Sequence, residues 1–223
     1  MRLKNKTVLI TGAAGALGKE VARVAQHLQA NVVLLDLAFP EEMMSNNCHS
    51  VDLSDIEAVK ATVTKIGRID GLINVAGGFD MGPALYDVTQ DDWDKMFTIN
   101  VATARNTIAA VVPKMIEQGA GSVVNVGAFA ALSGVGKMSA YCASKSVVMK
   151  MTESLSDEVK NLGINVNAVL PSIIDTAANR SAMPEANFDE WVKPEQLANV
   201  MCFLLSDEAS AIHGALIPVR ALS

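Results

Sequence analysis

The chain has few cysteines, and no two are close together. Cys48, Cys142 and Cys202 make no Cys-x-x-Cys pair, which removes the metal-clip and redox-dithiol readings, and their odd count fits a reduced cytoplasm. His27, His49 and His213 are just as dispersed, so no ligand spacing points to a metal and none is expected. A basic cluster is also missing. The formal net charge is −6, with Asp and Glu scattered along the chain, which argues against nucleic acid or an anionic membrane as a partner. No run approaches the ~20 apolar residues of a bilayer span. The opening MRLKNKTVLITGAAGALG is basic and then apolar, as a signal peptide is, but its apolar run is short and breaks into glycines. Without a repeat, a low-complexity tract or a Pro/Gly/Ser linker, one domain over 1–223 is expected, in a cytoplasmic protein.

What the chain does have is apolar material in short bursts. Half of its 223 residues are hydrophobic, enough for a sizeable core. Runs rich in Val, Ile and Leu occupy 7–10, 31–36, 69–77, 121–127, 164–171 and 215–219; continuous runs of this kind suit strands buried on both faces of a parallel sheet. Longer amphipathic stretches lie between them: Leu17 to Gln29, Asp55 to Ile66, Gln90 to Glu117, Ser139 to Leu162, and Pro194 to Leu205. Strands alternating with helices predict βαβ units, an α/β class and a doubly wound sheet. Ligands then sit at the carboxyl ends of the strands.

VLITGAAGALGKEVA reads as strand, tight turn, helix, with Gly12, Gly15 and Gly18 in the turn and at the helix start. Small residues admit a pyrophosphate close to the backbone, and the helix N-terminus offers N–H groups and a positive dipole end. The next strand-like run ends at Asp36, eighteen residues (36 − 18) after Gly18. A carboxylate there suits the ribose hydroxyls of an adenosine and repels a 2′-phosphate. Ala13, Ala14, Leu37 and Ala38 supply no cation for such a phosphate, so NAD(H) is favoured over NADP(H). Asp52, in VDLSD, either reaches an adenine amino group or shares a cap-like role with Ser54 and Asp55 before the following helix.

Tyr141 and Lys145 are four apart on the helix that begins near Ser139, so they share a face. A nearby ammonium favours phenolate and lowers the tyrosine pKa. Tyr141 then reads as a general acid for carbonyl reduction, or a base for alcohol oxidation, and Lys145 can also hold a ribose.

TGAAGALG (11–18), VDLSD (51–55), NVAGG (74–78), FTINVAT (97–103), YCASK (141–145) and PSIIDT (171–176) occur in the order and spacing of the short-chain dehydrogenase/reductase family, which nearly the whole chain resembles. The resemblance implies a seven-stranded parallel Rossmann sheet. It places Gly12, Gly15, Ala16, Leu17, Gly18, Asp36, Asp52 and Leu53 around the dinucleotide. Asn74, Ala76 and Gly77 should stabilise the central strand and line the adenosine ribose. Asn100 resembles the family's helix asparagine, which holds a water linking Lys145 to solvent. Pro171, Ile174 and Thr176 should lie along the nicotinamide, with Thr176 on its carboxamide.

Three departures stand out. The usual turn is Thr-Gly-x-x-x-Gly-x-Gly; here its second glycine is Ala16, and Gly15 precedes it. The string also matches the Thr-Gly-x-x-Gly-x-x-Gly of the longer extended branch, for which this chain is short. The catalytic serine normally lies thirteen residues before the tyrosine, and position 128 is alanine, next to Gly127. Ser133 and Ser139 are the nearby hydroxyls available to replace it. GAFAAL resembles the dihydropteridine reductases, which keep Tyr and Lys without this serine and reduce a quinonoid ring. Finally, the chain ends in IPVRALS without the family's common Asp-Gly-Gly, and the substrate-covering segment, Asp175 to Val192, is short. Its Met183, Phe188 and Trp191 either line an apolar pocket or pack the lid onto the body.

The expected function is an NAD(H)-dependent oxidoreductase. It moves hydride between nicotinamide and a small carbonyl, alcohol or quinonoid substrate, with Tyr141, Lys145 and Asn100 as its catalytic set. The alternative is an NAD(H)-binding protein with weak or no catalysis. The resemblance implies a homodimer or homotetramer built through the two long helices.

Overall fold

The computed structural model describes residues 2–223; Met1, with which the basic opening stretch begins, lies outside them. The first half runs β1 (Thr7–Thr11), α1 (Ala16–His27), β2 (Asn31–Asp36), β3 (Cys48–Ser50), α2 (Ile56–Lys65) and β4 (Gly71–Asn74). The second half begins with α3 (Gln90–Phe97), α4 (Thr103–Gln118), β5 (Gly121–Val126) and α5 (Ser139–Val159). It continues through β6 (Ile164–Pro171), α6 (Ala177–Ala182), α7 (Pro194–Leu204) and β7 (Leu216–Val219). The seven strands form one parallel sheet in the order β3-β2-β1-β4-β5-β6-β7. The chain therefore builds outward from β1 to β3, then returns to the other side of β1 and builds outward again to β7. That reversal is the topological switch point of a doubly wound sheet.

The apolar runs are strands because both sheet faces are covered. Val8, Leu9 and Ile10 are all fully buried. Successive side chains of a strand point to opposite faces, so Val8 and Ile10 join Val21, Leu197 and Met201 under α1 and α7. Leu9 joins Val59, Val111, Met115 and Leu155 under α2, α4 and α5. Each such side chain contributes roughly 1.5–3 kcal/mol by burial, which outweighs the weak local preferences of the segment.

Two elements differ from the sequence expectation. β3 reads Cys-His-Ser, with no apolar run to announce it; it is an edge strand held by pairing Cys48 opposite Leu34 and Ser50 opposite Asp36. The amphipathic stretch from Gln90 to Glu117 is not one uninterrupted α-helix. A π-helical segment, Thr98–Ala102, separates α3 from α4. Such segments recur at functional sites because they re-aim side chains out of the helical register, and this one carries Asn100.

Buried polar groups on the middle strands are satisfied by one another. The Thr107 hydroxyl donates to Asn74 Oδ1 at 2.7 Å, Asn74 Nδ2 donates to Asn125 Oδ1 at 2.9 Å, and Asn125 Nδ2 donates to the Thr152 hydroxyl at 2.9 Å. All four residues are buried. The ladder ties α4, β4, β5 and α5 together, and losing a member would leave an unpaired buried group at about 1–3 kcal/mol.

Candidate active site

The carboxyl ends of β1, β2 and β4 converge on the glycine-rich turn. Gly12 has φ of +62°, and a Cβ there would lie 2.8 Å from Ala76 Cα. A Cβ on Gly18 would fall 2.1 Å from the Gly12 carbonyl oxygen. Neither position admits a side chain. At Gly15 the nearest such atom is 3.3 Å away, so the fold itself presses less on that position. Gly15 caps α1 without a side-chain hydrogen bond, and the first turn of α1, beginning with Ala16, Leu17 and Gly18, carries no acid. The helix thus presents free N–H groups and its positive dipole end to whatever lies above the turn.

Asp36, at the end of β2, accepts the Ala14 N–H on Oδ2 at 2.8 Å and the Leu37 N–H on Oδ1 at 2.7 Å. The carboxylate braces the glycine turn, and its remaining lone pairs stay available. Asp52 accepts both the N–H and the hydroxyl of Ser54 on Oδ1, which holds its carboxyl below its ordinary range. Asp55 caps α2, accepting from Glu57 and Ala58. Leu53 is buried in the core and its carbonyl accepts from Asn106 Nδ2 at 3.0 Å, so only its backbone borders the site.

Beyond β4 the loop is held from behind. The Ala76 N–H donates to the Thr11 hydroxyl at 3.1 Å, and the Asn74 side chain points into the buried ladder. Asn100, 1 % exposed, grips Gly78 from both sides: its Oδ1 accepts the Gly78 N–H and its Nδ2 donates to the Gly78 carbonyl, each at 3.0 Å. Nδ2 also donates to the Ser144 hydroxyl, which donates to the Tyr141 carbonyl. The Asn100 side chain therefore couples the β4 loop to the helix of Tyr141, and its amide groups are engaged with protein. A Cβ on Gly77 would lie 2.6 Å from Asn100 Oδ1 and 3.2 Å from Lys145 Nζ, so this glycine lets the two side chains come together.

Lys145 is 6 % exposed and donates to the Val126 carbonyl at 2.9 Å. Burial drives its ammonium down to about 8. Tyr141 is half-buried, with Phe79 edge-on against its ring at 5.0 Å, and burial pushes its phenol up to about 12. The expected lowering of the tyrosine by its lysine neighbour is thus reversed in the protein by itself. A low-dielectric wall disfavours the charged form of both groups, and the lysine directs a hydrogen bond to Val126. Tyr141 also bounds a cavity of about 300 Å³.

Ala128 is 2 % exposed and packs in an apolar cluster with Met149, Ala168 and Leu170, against Tyr141. No hydroxyl stands there. Ser133 is exposed. Ser139 lies in the cavity wall, its hydroxyl buried and without a partner.

Pro171 is buried at the end of β6, Ile174 bridges to Val192, and Thr176 caps α6 by accepting the Asn179 N–H at 3.2 Å. The segment 175–192 is closed on itself. Asp175 binds Arg180 through two hydrogen bonds and Lys193 at 2.9 Å, and these cations hold its carboxyl well below its ordinary range. Trp191, 3 % exposed, packs into the body and Phe188 lies on it at 4.8 Å, while Met183 faces outward. Packing, not pocket lining, is what Trp191 does here.

Sequence reasoning missed Phe79, Asn106 and Lys137. Asn106, fully buried in the first turn of α4, pins the loop of Leu53 and Ser54; a polar side chain inside an apolar helix face was its one signal. Among the described residues there is no cluster of three His, Cys, Asp or Glu side chains able to hold a metal, and no helix long and apolar enough to cross a membrane.

The sequence profile of the short chain dehydrogenase family matches residues 6–187. The 3-oxoacyl-(acyl-carrier-protein) reductase FabG of Thermotoga maritima is 33% identical over 241 aligned residues, covering 98% of each chain. Among solved structures, levodione reductase superposes with a TM-score of 0.88 at 27% identity, over 99% of this chain and 98% of that one. NAD+-bound xylitol dehydrogenase superposes with a TM-score of 0.89 at 24% identity, over 99% and 100%, a likeness of fold. The turn at Gly12, the Asn100–Tyr141–Lys145 grouping and these similarities converge: the chain belongs to the short-chain dehydrogenase/reductase family of oxidoreductases, whose members bind a nicotinamide cofactor.

Proposed function

We propose that this protein is an NAD(H)-dependent oxidoreductase acting on a small carbonyl, alcohol or quinonoid compound, with Tyr141 as its general acid and base. The observation that carries the reading is the joining of Tyr141, Lys145 and Asn100 at the strand ends, beside a glycine turn that fits a dinucleotide. The uncapped N-terminus of α1 at Gly15, Ala16, Leu17 and Gly18 suits the pyrophosphate. Asp36 supports the adenosine ribose, and with no cation in Ala13, Ala14, Leu37 or Ala38 it disfavours a 2′-phosphate. Asp52 and the backbone of Leu53 bound the adenine side; Ala76 and Gly77 line the ribose, with Asn74 behind them. Pro171, Ile174 and Thr176 border the nicotinamide, and the Thr176 hydroxyl keeps its own proton free to donate.

A bound nicotinamide supplies or accepts the hydride. The residues of this chain handle the proton. In reduction the Tyr141 phenol donates to the developing alkoxide; in oxidation its phenolate takes the proton back. Lys145, buried on the same helix face, is assigned the ribose, and its positive charge is assigned to favouring the phenolate once a bound cofactor changes the burial that holds the phenol up in the protein by itself. Asn100 fixes the Gly78 loop against the Tyr141 helix. The chain is proposed to work as a homo-oligomer through α4 and α5, and in the cytoplasm.

Ala128 favours one competing reading, a dinucleotide-binding protein with little turnover. Turnover and NADH affinity of Tyr141→Phe, measured over ketones, quinones and pterins, separate the two. The enzyme reading expects a rate loss on the order of 100-fold or more with NADH binding kept. Unchanged turnover would remove Tyr141 from the chemistry, and binding without turnover in the parent protein would support the binding module.

A further inference from the structure

Three charged residues line the cavity beside Tyr141: Asp80, Asp92 and Lys137. Both carboxylates are engaged. Asp80 pairs with Lys95 at 2.7 Å, and Asp92 receives the Thr89 hydroxyl at 2.7 Å where it caps α3. Lys137 is different. Among the described residues no carboxylate lies within ion-pair distance of it. Its backbone is left-handed, with φ of 64°, a conformation uncommon outside glycine and concentrated at functional sites. Its carbonyl accepts the Gly82 N–H at 2.9 Å, which ties together the two loops that bound the cavity.

The chain passes from Lys137 straight into the N-terminus of α5. That 21-residue helix has no side-chain cap and no acid in its first turn. Within that turn stands Ser139, whose hydroxyl is buried and unpartnered, a rare state for a polar atom in a folded protein. Lys137, Ser139 and Tyr141 line one cavity, so an unpaired ammonium, an uncapped helix N-terminus and an unsatisfied hydroxyl share its wall with Tyr141. All three favour negative charge. A chain of net charge −6 otherwise repels anions, so Lys137 and the start of α5 give this cavity a local seat for an anionic group beside Asp80 and Asp92.

We propose that the substrate is a small oxo- or hydroxy-carboxylate, its anionic group seated by Lys137 and Ser139 at the start of α5 while its carbonyl or hydroxyl meets Tyr141. The proposal rests on the oxidoreductase reading. The cavity of about 300 Å³ matches a short acid, being at the lower limit for ligand pockets.

The test uses 4-oxopentanoate and its methyl ester, which differ in charge at one end, together with 2-oxopentanoate and 2-pentanone. In the parent protein kcat/KM with NADH should favour each acid over its neutral counterpart by on the order of tenfold or more. That ratio should fall toward one in Lys137→Met and persist in Lys137→Arg. Lys137→Gly, which adopts the left-handed backbone freely, gives the same reading if the methionine variant misfolds. A ratio near one in the parent, or a ratio unchanged on removing the ammonium, overturns the anion subsite while leaving the oxidoreductase reading intact. Calorimetric binding of 4-oxopentanoate to the NAD+ complex, which has no hydride to give, decides the case without turnover: binding lost in Lys137→Met supports the subsite, and no binding by the parent overturns it. Absence of NADH oxidation with every neutral ketone as well would count against the oxidoreductase reading alone.

Discussion

The ammonium nitrogen of Lys145 stands 2.9 Å from the carbonyl oxygen of Val126, the last residue of β5. Among the described residues no carboxylate balances that charge, and the side chain is buried. Burial therefore sets the chemistry of the pair, with the lysine held down to about 8 and Tyr141 pushed up to about 12.

The lysine makes stability depend on pH. Below about 8 the folded state carries a buried cation that the unfolded chain, titrating near 10.5, solvates fully. Between these values the unfolded chain binds more protons, so stability rises with pH. Urea unfolding should show a gain of about 2 kcal/mol from pH 7 to 9.5 in the parent relative to Lys145→Met. Parallel pH profiles for the two proteins would contradict the buried-cation account. Tyr141 acts in the other sense, since its raised phenol withdraws stability as pH climbs from 10 toward 12.

Ala128→Ser places a hydroxyl in the pocket of Met149, Ala168 and Leu170. Turnover of unactivated ketones should rise on the order of 100-fold, the usual worth of one oxyanion donor. The melting temperature should drop, because the new hydroxyl is unpaired without substrate. Steady-state rates on a simple ketone and on a quinonoid acceptor check this. A gain confined to the quinonoid acceptor would argue against a missing donor.

Asp36→Ala removes the brace on Ala14 and the charge at the end of β2. The preference for NADH over NADPH, as a ratio of kcat/KM values, should fall on the order of tenfold. A ratio that stays put would assign cofactor choice elsewhere.

Gly15 and Gly18 should respond oppositely to alanine. Gly18→Ala drives a methyl to 2.1 Å from the Gly12 carbonyl oxygen and should destabilise by about 1–3 kcal/mol, because only backbone can yield. Gly15→Ala meets its nearest atom at 3.3 Å; it should fold almost normally and lose NADH affinity. Thermal melts alongside NADH titrations compare them, and equal melting losses would refute the distinction.

Much of this site is legible along the chain because its parts are local. The glycine turn, Asp36 after the second strand, and the four-residue spacing of Tyr141 and Lys145 each depend on neighbours in sequence, and the structure sets them at the ends of β1, β2 and β5. The edge strand β3 was illegible because three polar residues carry no periodic signal; its partner Leu34 defines it. The π-helical segment at Asn100 was hidden for a related reason: an amphipathic repeat runs through it, and only packing on Gly78 and Ser144 turns the asparagine inward.

The sequence by itself determined most of the alternation of strands and helices, the parallel doubly wound sheet, the family, and the residue types available for chemistry. The alternation and the sheet follow from apolar periodicity and turn glycines, which act over a few residues; the family follows from the resemblance carried by motifs such as YCASK and NVAGG in their order and spacing. Tertiary structure alone decided the electrostatics. Tyr141 titrates in the direction opposite to the one its spacing from Lys145 implied, and Lys145 is lowered, because burial by distant segments outweighs proximity. Among the described residues, Ser139 is unsatisfied and Lys137 unpaired because of what the fold places, and fails to place, around them.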